Sequence, residues 1–169
     1  KPRVAPKWQR SGLIGYQHTG QRMTPEKARK YLDIALAAAQ LSKDTSTKVG
    51  AIIIGPTNEV RSLGYNGAPR GCKADEDERG QTRPEKYFWF SHAEMNAITN
   101  AARVGTPLDG SSLVVSHPPC MDCARAIVQA GIRHVFCPKP DEDFVTRWQE
   151  HIRRTEMLFK ETGIEYVWI

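Results

Sequence analysis

The sequence predicts an α/β fold in three layers, α-β-α, around a mixed five-stranded sheet. Three observations carry that expectation. Strand-like and helix-like segments alternate through the second half of the chain, which favours parallel neighbours with helices on both faces. Two short strand-like runs in the first half are joined by a tight turn, which favours an antiparallel pair. At 169 residues with 40% hydrophobic residues, the chain suits one domain with a proper core.

The first helix is expected in "TPEKARKYLDIALAAAQLS". Thr24 stands at the N-cap and Pro25 at the first helical position. Ala28, Tyr31, Leu32, Ala35, Leu36 and Ala39 then follow at helical spacing. "KVGAIIIGP" is short and β-branched and reads as a buried strand. "PTNE" turns the chain, and "VRSLGYN" returns as its antiparallel partner. Residues 66–90 carry Gly, Pro and the charged run "DEDER", and are expected to be an irregular loop of a length that is often functional. A helix follows from about His92 to Val104, then the turn "GTPLDG" and the strand "SSLVVS". A helix from about Cys120 to Ala130 stops at Gly131. "RHVFC" is a strand. "DEDFVTRWQEHIRRTEMLFKETG" is a long amphipathic helix, acidic at its start and closed by Gly163. "IEYVWI" is the last strand.

Mean hydropathy is −0.52 and no apolar run approaches the length of a membrane span. The N-terminus lacks the apolar stretch of a signal peptide, so an intracellular, cytoplasmic protein is expected. Four cysteines, Cys72, Cys120, Cys123 and Cys137, are too few for a disulfide scaffold. A C-x-x-C pair in a reducing compartment points instead to metal or redox chemistry. The net charge of +5 fits an anionic ligand. Part of that charge lies in residues 1–23, where five Lys/Arg and no acid mark a basic arm ahead of a domain at 24–169. Two aromatics in the arm, Trp8 and Tyr16, make no stacking platform, so nucleic acid is not an expected partner.

The chemistry lies in "SHAEMNAITN" and "HPPCMDCARA". A helix of 13 residues advances about 20 Å and a six-residue strand returns about 20 Å. The N-terminus of the second helix therefore comes back beside the N-terminus of the first. His92 can then meet Cys120 and Cys123, which share one helix face. Three such ligands make a zinc site with one tetrahedral position left for water. Cys72, Cys137 and His117 could each close it, but no spacing forces them in. Two helix N-termini favour the negative charge of the thiolates. Glu94, two positions after His92, is badly placed as a ligand and well placed to take a proton from the water. Each residue alone has a plainer reading: a surface histidine, a first-turn acid, a redox pair. The combination H-x-E…P-C-x-x-C is the signature of zinc deaminases that act on nucleobases.

With "LSKDTSTKVGAIIIG", "GYNGAPRGC", "EKYFWFSHAEMNAI" and "PPCMDCARAIVQAGIRHV", the chain resembles the cytidine/deoxycytidylate deaminase superfamily, and within it the dCMP group. The resemblance runs from about residue 24 to the end. It implies a cytidine deaminase-like fold, one zinc ion on His92, Cys120 and Cys123, and Glu94 as proton shuttle. It implies that Asn66 holds the sugar and that the backbone near Ser116 and Pro118 accepts from the exocyclic amine. The reaction it implies is hydrolysis of dCMP to dUMP and ammonia. Lys43, Ser46, Lys48 and Arg70 are candidates for the phosphate, which needs charged or hydroxyl donors. The same resemblance implies a homohexamer activated by dCTP with Mg²⁺ and inhibited by dTTP. An effector site is then expected in the 66–90 segment, at Asn66, Gly67, Arg70 and Gly71 with Lys48. The alternatives are a deaminase of a 5-substituted dCMP or of an RNA base, and a zinc- or nucleotide-binding module without turnover.

Overall fold

A computed structural model describes residues 22–169. Its elements are α1 (Pro25–Ala39), β1 (Gly50–Ile54), β2 (Val60–Tyr65), α2 (Glu78–Gln81), α3 (Lys86–Trp89), α4 (Ala93–Val104), β3 (Ser112–Val115), α5 (Met121–Gln129), β4 (His134–Cys137), α6 (Glu142–Thr162) and β5 (Glu165–Trp168). The strands form one sheet in the order β2-β1-β3-β4-β5. β1 is antiparallel to β2 and β3, and β3, β4 and β5 run parallel. This is the mixed five-stranded α/β arrangement expected from the sequence.

The sheet is covered on both faces. Along β1, Ile52 and Ile54 pack under α1 with Ala28, Ala35 and Phe136. Ala51 and Ile53 face the other way, toward Ala97 of α4, Ile127 of α5 and Phe159 of α6. With neighbours on both sides, all five β1 residues are buried, so "GAIII" reads as a continuous apolar run with no alternation. Thr24 Oγ1 accepts from Lys27 N at 3.2 Å and starts α1. Asp141 starts α6 by accepting from Phe144 N at 2.7 Å, and Gly163 ends it at φ 72°.

α4 lies very close to β2. A Cβ added to Gly64 would meet Ala93 O and Ala97 N at 2.4 Å, both backbone atoms of the helix that follows His92. Gly64→Ala is therefore expected to push the start of α4 away from the sheet. Overpacking of this kind costs about 1–3 kcal/mol. Urea unfolding checks it, and an unchanged midpoint would show that α4 can shift freely.

The structure departs from the sequence reading in residues 66–90. The segment holds two single-turn helices, α2 and α3, where an irregular loop was expected. Asp77, inside the charged run, caps α2 by accepting from Arg79 N. A four-residue helix is too short to show a period, so only its cap could have signalled it. The base of the segment is closed by Gly67 and Ser91, which exchange both backbone hydrogen bonds at 3.0 and 2.9 Å. The basic arm expected at residues 1–23 lies outside the described residues, apart from its last two. Of these, Arg22 pairs with Glu165 and Met23 is buried against α1. No helix among the described residues is long and apolar enough to cross a membrane.

Candidate active site

β3 separates α4 from α5 in the chain and returns the backbone across the sheet. His92 and Cys120 consequently occupy the N-cap positions of α4 and α5. Neither side chain caps its helix, so both remain available for other contacts. Cys120 Sγ and Cys123 Sγ lie 3.3 and 3.5 Å from His92 Nδ1. Tetrahedral zinc with sulfur at about 2.3 Å and nitrogen at about 2.0 Å has sulfur–nitrogen edges of about 3.5 Å. The three ligand atoms therefore fit a zinc ion. Among the described residues they form the one such cluster of His, Cys, Asp and Glu. Cys72, Cys137 and His117 stand outside it; Cys137 donates to Tyr166 Oη at 3.4 Å.

The three groups polarise one another. Cys120 is pushed down, first by its hydrogen bond with Cys123 and then by His92, while burial opposes both. The same contact pushes Cys123 up. His92 is raised to about 9, mainly by Cys120. Glu94 is 3% exposed. Burial pushes its carboxyl up to about 7, against the pull of His92 downward. A carboxyl near neutrality can both accept and release a proton.

These groups open into a cavity of 710 Å³. Its far wall holds a polar network. Asp44 and Lys86, 3% and 6% exposed, pair at 2.8 and 3.0 Å. Asp44 also accepts from Ser46 N, Ser46 Oγ and Thr47 N, which turns the 44–47 loop around the carboxylate. Asn66 Nδ2 donates to Asp44 and to Thr47 O, and Asn66 Oδ1 accepts from Val49 N at 2.8 Å. Lys86 from α3 thus locks the 44–49 loop against the end of β2.

Burial pushes the Asp44 carboxyl up, but Lys86 and the donors of Ser46 and Thr47 outweigh it and hold the group below its ordinary value. A depressed folded pKa stabilises the fold fully above the unfolded value, about 3.9, and that contribution is lost as pH falls through the folded value. Urea midpoints are therefore expected to drop below about pH 4, and to drop less steeply in Asp44→Asn. Equal slopes would contradict this assignment.

The family model for the cytidine and deoxycytidylate deaminase zinc-binding region matches residues 25–139, the stretch that carries His92, Glu94, Cys120, Cys123, Asp44, Lys86 and Asn66; α6 and β5 lie beyond it. The chain belongs to this family. It is 40% identical over 149 residues to an uncharacterized deaminase in the luxG 3′ region of Aliivibrio fischeri, covering 87% of this chain and 96% of that one. It is 39% identical over 110 residues to the deoxycytidylate deaminase of Pongo abelii, covering 63% of this chain and 61% of that longer relative. Among solved structures, the dCMP deaminase of cyanophage S-TIM5 in complex with dCMP and dUMP superposes with a TM-score of 0.70 at 30% identity. That match covers 88% of this chain and all of the other.

Other deaminase-family positions read from the sequence fall in several places. Asn66, Ser46 and Pro118 line the cavity. Ser116 stands behind it, with Oγ accepting from Gly50 N at 3.1 Å and touching His117 Nδ1 at 3.2 Å. Lys43 pairs with Asp75 at 2.8 Å and is not on the cavity wall. Lys48, Gly67, Arg70 and Gly71 are not on it either; Arg70 bonds to Asn100 Oδ1 at 2.5 Å, on the far side of α4 from its N-terminus. Sequence reasoning passed over Asp44, Lys86, Arg83, Phe90 and the cavity face of α6. Of these, Asp44 left a signal, because "DTS" is the pattern of an Asp that caps its own turn.

Proposed function

We propose that this chain deaminates dCMP by hydrolysis, giving dUMP and ammonia. One observation carries the proposal: a three-ligand cluster of His92, Cys120 and Cys123 lies beside the buried carboxyl of Glu94 in a cavity large enough for a nucleotide. His92 Nδ1 and the two sulfurs would hold the zinc. Bound there, zinc lowers the pKa of water and makes it a nucleophile at neutral pH. Glu94 takes the proton of the attacking water and delivers it to N3 of the cytosine ring as C4 is attacked. Glu94 then moves a second proton to the amine at C4, which leaves as ammonia while the C4 carbonyl forms. The positive ends of α4 and α5 favour the thiolates and the charge that develops next to them.

The remaining contacts follow the family resemblance. Backbone carbonyls near Ser116 and Pro118 accept from the exocyclic amine. Asn66 Oδ1 has a second lone pair for the sugar hydroxyl while its first binds Val49 N. Ser46 offers a hydroxyl at the wall. Effector control by dCTP with Mg²⁺ and by dTTP in the 66–90 segment, hexameric assembly and a cytoplasmic location belong to the same proposal.

Ammonia release from dCMP, 5-methyl-dCMP, cytidine and a single-stranded RNA, with and without dCTP and dTTP, tests it on protein of measured zinc content. Preferred turnover of dCMP is expected. Turnover of RNA alone, or of none of them by zinc-loaded protein, would overturn it.

A further inference from the structure

α6 is an amphipathic helix whose inward face outruns the core. Thr155 and Phe159 in its second half are fully buried. The same face continues toward the N-terminus through His151, Trp148, Arg147 and Phe144; counted back from Thr155, the ring-bearing His151, Trp148 and Phe144 follow at steps of four, three and four residues. These four residues line the cavity and do not join either core cluster. Two hydrogen bonds tie the helix to the start of α5, on either side of Cys120. His151 Nδ1 accepts from Met121 N at 3.2 Å, and Thr155 Oγ1 donates to Pro119 O at 3.3 Å. Phe144 and Trp148 stack with centroids 6.0 Å apart, and His151 meets Trp148 edge-on at 5.3 Å. The result is an aromatic wall anchored to the N-terminus of α5. It lies beyond residue 139, where the match to the family model ends.

The charge on this cavity is uneven. Its cations are Lys86, Arg83 and Arg147. Lys86 is neutralised by Asp44. Among the described residues, neither Arg83 nor Arg147 takes part in an ion pair. Arg147 Nε donates to Asp143 O at 3.2 Å, which orients the guanidinium, and Arg83 lies 5.9 Å from the Tyr87 ring. The acids on the wall are engaged elsewhere. Asp44 holds Lys86, Asp141 caps α6 through Phe144 N, and Glu94 lies beside the sulfurs. Two forked guanidiniums without carboxylate partners suit a dianionic phosphate, which each can bind through paired N–H donors.

We propose that the first half of α6 is the phosphate-reading wall of this site, with Arg147 and Arg83 binding the 5′-phosphate of a nucleoside monophosphate. This rests on the deaminase proposal for its choice of nucleotide, but its test does not need turnover. Binding of dUMP and deoxyuridine is measured by calorimetry on the zinc-loaded full chain and on Arg147→Ala, Arg147→Lys and Arg83→Ala. The wild type is expected to bind dUMP about tenfold or more tightly than deoxyuridine. Arg147→Ala and Arg83→Ala each lose most of that ratio and leave deoxyuridine binding within about twofold, and Arg147→Lys keeps part of the ratio because it restores charge without the fork. Equal binding of the two ligands by the wild type would overturn the proposal. So would a ratio unchanged in the alanine variants, or affinity for both ligands falling together. dCMP turnover in the same samples reads the deaminase proposal separately. A wild type that selects dUMP yet releases no ammonia from dCMP sinks the deaminase and leaves the wall standing.

Discussion

Glu94→Gln is expected to lower dCMP deamination by about 10³–10⁴-fold while zinc content stays at one ion per chain. The amide has the shape of the carboxylate but cannot accept the proton of the attacking water or return one to the leaving amine. Both proton transfers are lost together. Glu94 is not in the ligand cluster, so the metal has no reason to leave. Stability should not fall either. Burial already pushes this carboxyl up to about 7, so a neutral group is better tolerated there than a charged one. Steady-state rates, atomic absorption and thermal melts on one preparation separate these effects. A variant that keeps zinc and loses less than about tenfold in rate would remove Glu94 from the mechanism.

Lys86→Met is expected to destabilise the fold by about 3–5 kcal/mol, the cost of leaving a buried carboxylate without its partner. The methionine fills the lysine's volume, so packing is nearly conserved and the loss reports the charge. Asp44 keeps its hydrogen bonds from Ser46, Thr47 and Asn66, which softens the loss without neutralising the group. Adding Asp44→Asn should recover part of the stability, because the orphaned charge is then gone. Urea unfolding of the two single variants and the double variant measures this coupling. Additive losses would show that the two residues act independently. The pair also joins α3 to the 44–49 loop, so activity should fall in Lys86→Met even at temperatures where the variant is folded.

The layer order and the sheet were legible in the sequence because each long element announces itself locally. Thr24 and Pro25 start α1, Asp141 and Gly163 bracket α6, and the apolar run of β1 declares burial on two faces. The convergence of His92 with Cys120 and Cys123 was legible because one helix and one strand of similar length must return to the same edge. The rest of the cavity was not. Asp44 and Lys86 are 42 residues apart and meet only because the 66–90 segment folds back onto the loop after α1, where Asp75 also pairs with Lys43 and Gln81 accepts from Thr45. The aromatic face of α6 has the same spacing as a core face, and no pattern within the helix says where the core stops and a cavity begins. Two of the phosphate candidates drawn from donor chemistry in the motif-bearing loops, Lys43 and Arg70, found partners in Asp75 and Asn100, which no reading of one segment reveals.

Zinc K-edge absorption on the purified chain tests the central claim most directly. The account predicts one zinc with two sulfurs at about 2.3 Å and two lighter ligands at about 2.0 Å, one being His92 and the other exchangeable solvent. A third sulfur in that shell, from Cys72 or Cys137, or a preparation that binds no zinc, would contradict it.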